Sequence, residues 1–154
     1  GFDDPDVMEP AFLFSVGDTL RVGDHLDQAE PFLKKATETG FDTFESRYSY
    51  SQLLLRRANQ LWESSDPEEQ AQGLLMYERA VPELKAALKH RPNHSEAREN
   101  MANLVFWYWE NKAATRLDVV EEIEGALQVT EQNKDMGAAA RLKEKLQKVL
   151  DTPE

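Results

Sequence analysis

Turn-forming residues interrupt this chain at intervals of about one helix. Between the interruptions the apolar residues recur every three or four positions, and the alternation typical of a strand is missing. Because a loop of a few residues cannot carry the chain back along a helix, consecutive helices must run antiparallel. The sequence therefore predicts seven helices joined by short loops. The predicted breaks are Gly23-Asp24, Thr39-Gly40, Ser64–Pro67, Arg91–Asn93, Asn111–Thr115 and Gln132-Asn133.

Helix starts are marked by capping residues. Asp66 precedes Pro67, which suits a first helical position, and Asn93 precedes the helix that follows Pro92. Thr115 and Asp118 have the spacing of a reciprocal capping box. A final helix is predicted from about Asp135 to Leu150.

Small and large residues then follow a fixed spacing within the first two predicted helices. The spacing runs Leu13-x2-Val16-Gly17-x2-Leu20 and, nine residues later, Ala29-x3-Leu33-x2-Ala36. Small residues at such positions let two helices cross closely, and the large ones fill the remaining space. This pattern resembles the tetratricopeptide repeat across residues 10–43, with Phe41 where the repeat usually has a proline.

Two further copies of the resemblance follow, and both are degenerate. The second, 45–92, ends on Ala80-x3-Leu84-x2-Ala87-x4-Pro92 and carries an insertion at 63–73. The third, 95–131, shows Met101-Ala102-x2-Val105 and Val119-x3-Ile123-x2-Ala126, and the helix at 135–150 then caps the array. The resemblance implies an all-α, right-handed helical-hairpin solenoid of about three repeats plus a C-terminal capping helix. It also implies a single domain over residues 1–154.

The resemblance further implies a protein-binding face, because tetratricopeptide arrays hold peptides on the concave face lined by the first helix of each hairpin. Asn59 and Asn103 hold equivalent places, where family members often hydrogen-bond a peptide backbone. Phe14, Asp18 and Glu96 stand where the chaperone-binding version has a lysine, an asparagine and a lysine, and that version is rejected because Asp18 and Glu96 would repel the carboxylate of its ligand. Basic groups of a partner are instead expected to meet Asp18, Glu63, Glu96 and Glu99. The predicted partner-binding residues are Phe14, Asp18, Leu55, Asn59, Trp62, Asn103, Phe106 and Trp107.

Four consecutive aromatic residues, 106–109, are the most unusual feature of the sequence. Successive residues step about 100° around a helix, so a two-layer stack cannot bury all four side chains. Core packing is the alternative for any one of them. We expect Phe106 and Trp107 to face a partner, with Trp62 across the groove.

Several other classes of function receive no support from the sequence. It shows no catalytic motif, so we expect no enzyme and no cofactor. There is no cysteine, and Pro92 breaks the helix that would align His90 and His94 on a metal. The aspartates at 3, 4 and 6 lack the spacing of a calcium loop.

Charge and hydropathy narrow the choice of partner. The net charge of −11 disfavours nucleic acid and anionic lipid, although it also suits simple solubility. No apolar run reaches the 18 or so residues of a membrane span, and the acidic start does not resemble a signal peptide. The sequence leaves the compartment open, either the cytoplasm or, if a signal segment was trimmed, the periplasm.

The sequence therefore favours an adaptor that holds a protein or peptide. Two alternatives remain: a homo-oligomeric assembly or scaffold protein, and a small-molecule binder with an aromatic pocket between hairpins.

Overall fold

The computed structural model describes residues 9–154, and that range contains seven α-helices and no strand. The all-α prediction is confirmed. The acidic residues 3–6 lie outside the described range. The helices are α1 (Pro10–Val22), α2 (Leu26–Glu38), α3 (Phe44–Trp62), α4 (Pro67–His90), α5 (Ser95–Glu110), α6 (Arg116–Gln132) and α7 (Met136–Asp151).

Most of the predicted helix starts are present with their hydrogen bonds. The backbone N–H of Asp118 donates to Thr115 Oγ1 at 3.0 Å, and the reciprocal bond closes the predicted capping box of α6. Asp66 Oδ1 accepts from the backbone N–H of Glu68 at 3.0 Å at the start of α4. The prediction for α5 was wrong by one residue, because His94 rather than Asn93 is the cap.

The imidazole of His94 caps α5 through its Nδ1 atom, which accepts from the backbone N–H of Ala97 at 3.2 Å. Asn93 serves the next loop instead, where its carbonyl oxygen accepts from Asn133 Nδ2 at 2.7 Å. An imidazole nitrogen can therefore take the place of the side-chain oxygen that normally satisfies a free helical N–H.

The helices form two compact units, the first ending at His90 and the second running from Arg91 to Glu154. In the first unit α1 packs on α2, α2 on α3 and α3 on α4; in the second, α5 packs on α6 and α6 on α7. The core of the first unit contains Leu26, Ala29, Leu33, Tyr50, Leu53, Leu54 and Ala80. The core of the second contains Ala102, Phe106, Val119, Ile123, Ala126, Leu142 and Val149. The single domain over 1–154 stays a prediction.

The small residues of the repeat pattern lie at close helix crossings, as their spacing predicts. A Cβ atom on Gly17 of α1 would stand 2.7 Å from Cγ of Leu33 on α2. Ala29 and Ala36 are fully buried on the same helix. The first hairpin therefore depends on side chains no larger than a methyl group at these points, and on the lack of any at Gly17.

The segment predicted as an insertion, 63–73, is largely the first two turns of α4. Gly73 lies where α4 crosses α3, since a Cβ atom there would stand 3.0 Å from the carbonyl oxygen of Ala58. Residues 67–73 thus lengthen the α3–α4 hairpin instead of forming a separate spacer. Pro82 lies inside α4, which spans 24 residues.

Within residues 9–154, every helix is too short or too polar to cross a lipid bilayer.

Candidate functional site

The two predicted binding residues of α1 are both engaged inside the first unit. Phe14 is half-buried against the core, and its ring centroid lies 5.5 Å from that of Phe41. Asp18 Oδ1 accepts from Arg21 Nη2 at 2.9 Å and from the hydroxyl of Ser49 at 2.7 Å. Phe41, which replaces the proline of the repeat pattern, therefore packs on the first helix, and Asp18 connects α1 to α3.

The predicted residues of α3 differ in exposure. Leu55 is half-buried against the core, Trp62 is half-buried near the end of the helix, and Asn59 is exposed. The hydroxyl of Tyr77 on α4 donates to Asn59 Oδ1, and burial raises the pKa of Tyr77 above its usual value. A partner contacting Asn59 would consequently meet the amide nitrogen, since the oxygen is already occupied.

Asn103, on α5 in the second unit, has an unsatisfied amide oxygen. Its Oδ1 atom is buried and has no hydrogen-bond partner among the described residues. An unsatisfied buried acceptor destabilises a protein by about 1–3 kcal/mol. Such a group is rare in a folded chain.

The aromatic residues at the end of α5 divide between core and surface. Phe106 is 7% exposed, and its ring contacts that of Trp109 at 5.6 Å between centroids. Lys148 Nζ on α7 stands 5.4 Å from the centre of the same ring. Trp107, Tyr108 and Trp109 are each half-buried, and the Trp107 and Tyr108 rings meet edge to face at 5.2 Å.

This division corrects one sequence-based expectation. Phe106 packs among α5, α6 and α7 as a core residue, so its ring is not placed to receive a partner. A helix of the second unit covers the side of α5 on which Phe106 lies. Trp107 keeps the partial exposure that a contact residue needs.

The acidic residues expected to meet a basic partner are also partly occupied. Arg21 Nε and Nη2 both donate to Asp18. In the second unit, Arg141 of α7 holds both carboxylate oxygens of the buried Glu99, at 2.7 and 2.8 Å. These carboxylates therefore stabilise the hairpins, and an added basic group would have to compete with an arginine that is already present.

Sequence reasoning missed two neighbouring cavities in the first unit, of about 500 and 460 Å³. Both are lined by Arg79 and Pro82 of α4. The first cavity is completed by Lys34, Thr37, Glu38, Arg47, Tyr50 and Glu83. The second is completed by Arg57, Leu61, Gln72, Leu75, Met76 and Glu78.

An ion-pair bridge runs beside both cavities. Arg79 Nη2 donates to Glu30 Oε1 of α2 at 3.0 Å and to the hydroxyl oxygen of Tyr50 at 2.7 Å. Arg57 of α3 donates to the other oxygen of Glu30. Of these contacts, the Arg79–Glu30 pair joins α4 to α2, two helices that share little direct packing, while the other two tie α3 to its neighbours.

The histidine and acidic side chains of the described residues are too widely spaced for a metal site. Among residues 9–154, no three His, Cys, Asp or Glu side chains are grouped closely enough to hold a metal ion. His90 Nε2 lies 3.0 Å from Asp42 Oδ1, and Arg47 Nε donates to the same oxygen at 2.9 Å. Arg47 and His90 together lower the pKa of Asp42 to about 2. His90 therefore hydrogen-bonds Asp42, and His94 caps α5.

Comparison with known proteins supports the fold alone. No family model matches the sequence, and no curated protein matches it. Several solved structures do match, among them one named MamA MSR-1 C2, with a TM-score of 0.60 and 11% identity over 96% of this chain and 79% of that one. The ArsTM double mutant of MamA from RS-1 gives a TM-score of 0.57 and 15% identity over 94% and 79%.

MamA is an all-helical protein of the tetratricopeptide type. The likeness confirms the predicted fold class, a helical-hairpin solenoid. At these identities it says nothing about partners or chemistry.

Proposed function

We propose that this chain is a protein-interaction module that holds a partner protein or peptide and catalyses no reaction. The observation that carries the proposal is the partial exposure of Trp107 and Tyr108 beside the buried Phe106. Aromatic side chains with an exposed edge on a rigid helix are the residues that most often dominate the binding energy of protein interfaces. A helical-hairpin fold agrees with this role without requiring it.

Asn103 supports the same surface. It precedes Trp107 by four residues, so the two side chains lie on one face of α5. Its buried amide oxygen has no partner in the described part of the chain, and a small rotation of the side chain could offer it to a donor. A backbone N–H from a bound segment would be such a donor.

Apolar contact, more than charge, is expected to hold the partner. Asp18 and Glu99 already bind Arg21 and Arg141, so they provide little attraction for a basic peptide. In the first unit, Leu55 offers an apolar surface of the same kind and is half-buried.

The test is capture of a partner from the native cell extract by wild type and by Trp107→Ala. The matched control is Leu117→Ala, which removes a large apolar side chain that is 65% exposed on α6 of the same unit. We expect a protein that is retained by wild type and by the Leu117 variant and is lost by the Trp107 variant. Circular dichroism should show equal helicity and a similar melting temperature for all three.

If Trp107→Ala lowers thermal stability and binding together, Trp107 is a core residue and the proposal loses its support. Equal capture by all three proteins would also count against it.

Self-association is a second candidate, favoured by apolar residues exposed on the terminal helices. Val22 of α1 and Met136 of α7 are both largely exposed, as are Phe12 and Leu150 to a smaller extent. Light scattering over a concentration series would show a rising mass if copies of the chain associate. The two cavities described above are lined by neither tryptophan nor phenylalanine, so they offer no support for an aromatic small-molecule pocket.

A further inference from the structure

The larger cavity of the first unit contains hydrogen-bonding capacity that the chain itself does not use. Tyr50 is 4% exposed and lines this cavity, and its hydroxyl oxygen accepts from Arg79. The hydroxyl proton has no acceptor among residues 9–154. Burial raises the pKa of Tyr50, which keeps that proton in place at neutral pH. A buried O–H donor with no acceptor marks a position where an acceptor would be stabilised.

Two of the cations around this hydroxyl can also make further ion pairs or hydrogen bonds. The ammonium group of Lys34 has no ion pair among the described residues. Arg79 binds one oxygen of Glu30 and the oxygen of Tyr50, which leaves other N–H groups of its guanidinium. Arg47, by contrast, is occupied by Asp42 and Glu83.

Lys34 is therefore the cation of this cavity that can attract an anion. Arg47 is paired with Asp42 and Glu83, and Arg79 is paired with Glu30. A single carboxylate beside the hydroxyl of Tyr50 would pair with Lys34 and reach the remaining N–H groups of Arg79. The same carboxylate would accept a charge-assisted hydrogen bond from the hydroxyl of Tyr50.

The smaller cavity supplies the complementary apolar contacts. It shares Arg79 and Pro82 with the larger cavity, so the two cavities adjoin. Leu61, Leu75 and Met76 line it, and Leu75 is 58% exposed although it is a large apolar residue. An apolar side chain covering Leu75 would gain about 25 cal/mol for each square ångström removed from water.

We propose that the two cavities form one docking site for a peptide segment with an acidic side chain next to a leucine-sized apolar side chain. The carboxylate binds Lys34, Arg79 and the hydroxyl of Tyr50, and the apolar side chain covers Leu75 and Met76. The site lies on α2, α3 and α4 of the first unit and contains none of the residues used for the proposed partner surface on α5. The two sites also differ in the ligand that they prefer, since this site selects an acidic segment and the surface on α5 holds its partner by apolar contact.

The first experiment locates the site by nuclear magnetic resonance on the full chain labelled with ¹⁵N. The probe is a peptide of sequence Gly-Glu-Leu-Leu-Gly, acetylated and amidated so that its only carboxylate is the glutamate side chain. The comparison probe replaces that glutamate with glutamine. We expect saturable shifts of amide signals around Lys34, Tyr50 and Leu75, with the glutamine peptide binding about tenfold more weakly, the loss of one charge-assisted hydrogen bond.

The second experiment assigns the cause with paired variants. Tyr50→Phe removes only the hydroxyl and should weaken binding of the glutamate peptide about tenfold, whereas Tyr77→Phe, outside both cavities, should leave it unchanged. Lys34→Gln should weaken binding in the same way, against Lys89→Gln as control on an exposed lysine of α4. Leu75→Ser should weaken binding of both peptides, against the neighbouring Leu74→Ser, whose side chain is 37% exposed and lines neither cavity.

Absence of saturable shifts at millimolar peptide would overturn the proposal, as would equal affinity for the glutamine peptide. Equal losses in the members of any pair would show that the effect is general and not local. Trp107→Ala should bind the probe as wild type does. The proposal for this site and the proposal for the surface on α5 can therefore be refuted independently.

Discussion

Gly17 offers the most direct test of how the first hairpin is packed. A Cβ atom placed on it would lie 2.7 Å from Cγ and 2.8 Å from Cδ2 of Leu33, and 3.0 Å from the backbone nitrogen of that residue. Ordinary van der Waals contacts between carbon atoms are about 3.5–4.0 Å. Leu33 is fully buried, so its side chain cannot swing into solvent. Gly17→Ala must therefore move α1 away from α2 by a substantial fraction of an ångström.

Two opposing effects set the size of the change in the free energy of unfolding. Overpacking of a tight core destabilises by about 1–3 kcal/mol. Alanine, on the other hand, favours the interior of a helix over glycine by about 0.8–1 kcal/mol. Because the contact involves a branched carbon and the backbone, we take the steric effect as the larger and expect a net loss of about 1–2 kcal/mol. For a chain of this length that corresponds to a fall in melting temperature of about 2–8 °C.

Gly125→Ala is the matched control, because it makes the same chemical change inside another helix. No atom lies within 4 Å of a Cβ placed on Gly125 in α6, so only the gain in helix propensity remains. Urea denaturation followed by circular dichroism should show lower stability for Gly17→Ala and higher stability, by about 0.5–1 kcal/mol, for Gly125→Ala. If both substitutions stabilise the protein, the crossing at Gly17 is not tight and the steric basis of the repeat pattern is wrong.

Two ion pairs give further predictions. Arg47 and His90 lower the folded-state pKa of Asp42 from 3.8 to about 2, so the stabilisation is present above pH 3.8 and is lost as the pH falls through about 2. Asp42 is half-exposed and solvent screens the pair, so Asp42→Asn should cost no more than about 1 kcal/mol at pH 7, and wild type and variant should converge near pH 2 in urea titrations. Arg141→Ala should destabilise the second unit in urea denaturation, because it leaves the buried carboxylate of Glu99 without its partner. Glu99→Gln should destabilise it less, and equal losses for the two variants would show that burial of the charge is unimportant.

The number and limits of the helices were predictable because they depend on local signals. Glycine, proline and asparagine mark the loops, and the apolar spacing marks the helix faces, so each helix could be assigned from about twenty residues. The cap of α5 could not be placed to the residue, since Asn93 has the higher general preference and His94 has the better position. Local preference decides that a helix begins, and the loop geometry decides which side chain reaches the free N–H.

The long α4 shows how two sequence signals can conflict. Asp66 and Pro67 predict a helix start, whereas the repeat register marks 63–73 as extra chain between two helices. In the structure α4 begins at Pro67, as the capping signal predicts. Gly73 then takes a place at the crossing with α3 that the repeat pattern does not include. A repeat pattern of fixed length identifies the positions that all hairpins of the family have in common. When a hairpin has longer helices, the pattern marks the extra turns as an insertion.

The aromatic run was predictable as a group and not residue by residue. Four consecutive positions face all sides of a helix, so periodicity predicts that some are buried without saying which. That choice depends on α7, whose Lys148 lies more than forty positions later in the chain and stands over the ring of Phe106. For the same reason the two cavities of the first unit were not predictable, because their lining comes from three helices between positions 34 and 83.

Function in a fold of this kind is best sought among the groups that helix packing leaves unsatisfied. Most charged residues at helical positions connect neighbouring helices, as Asp18 does with Ser49 and Glu99 with Arg141, and such pairs would exist whatever the protein binds. The O–H proton of Tyr50 and the amide oxygen of Asn103 differ, because the described residues offer the first no acceptor and the second no donor. The unpaired oxygen of Asn103 lowers stability, whereas the oxygen of Tyr50 still accepts from Arg79. These two groups, on α3 and α5, are the basis on which we propose a binding surface in each unit, one for an acidic segment and one for a partner held by aromatic contact.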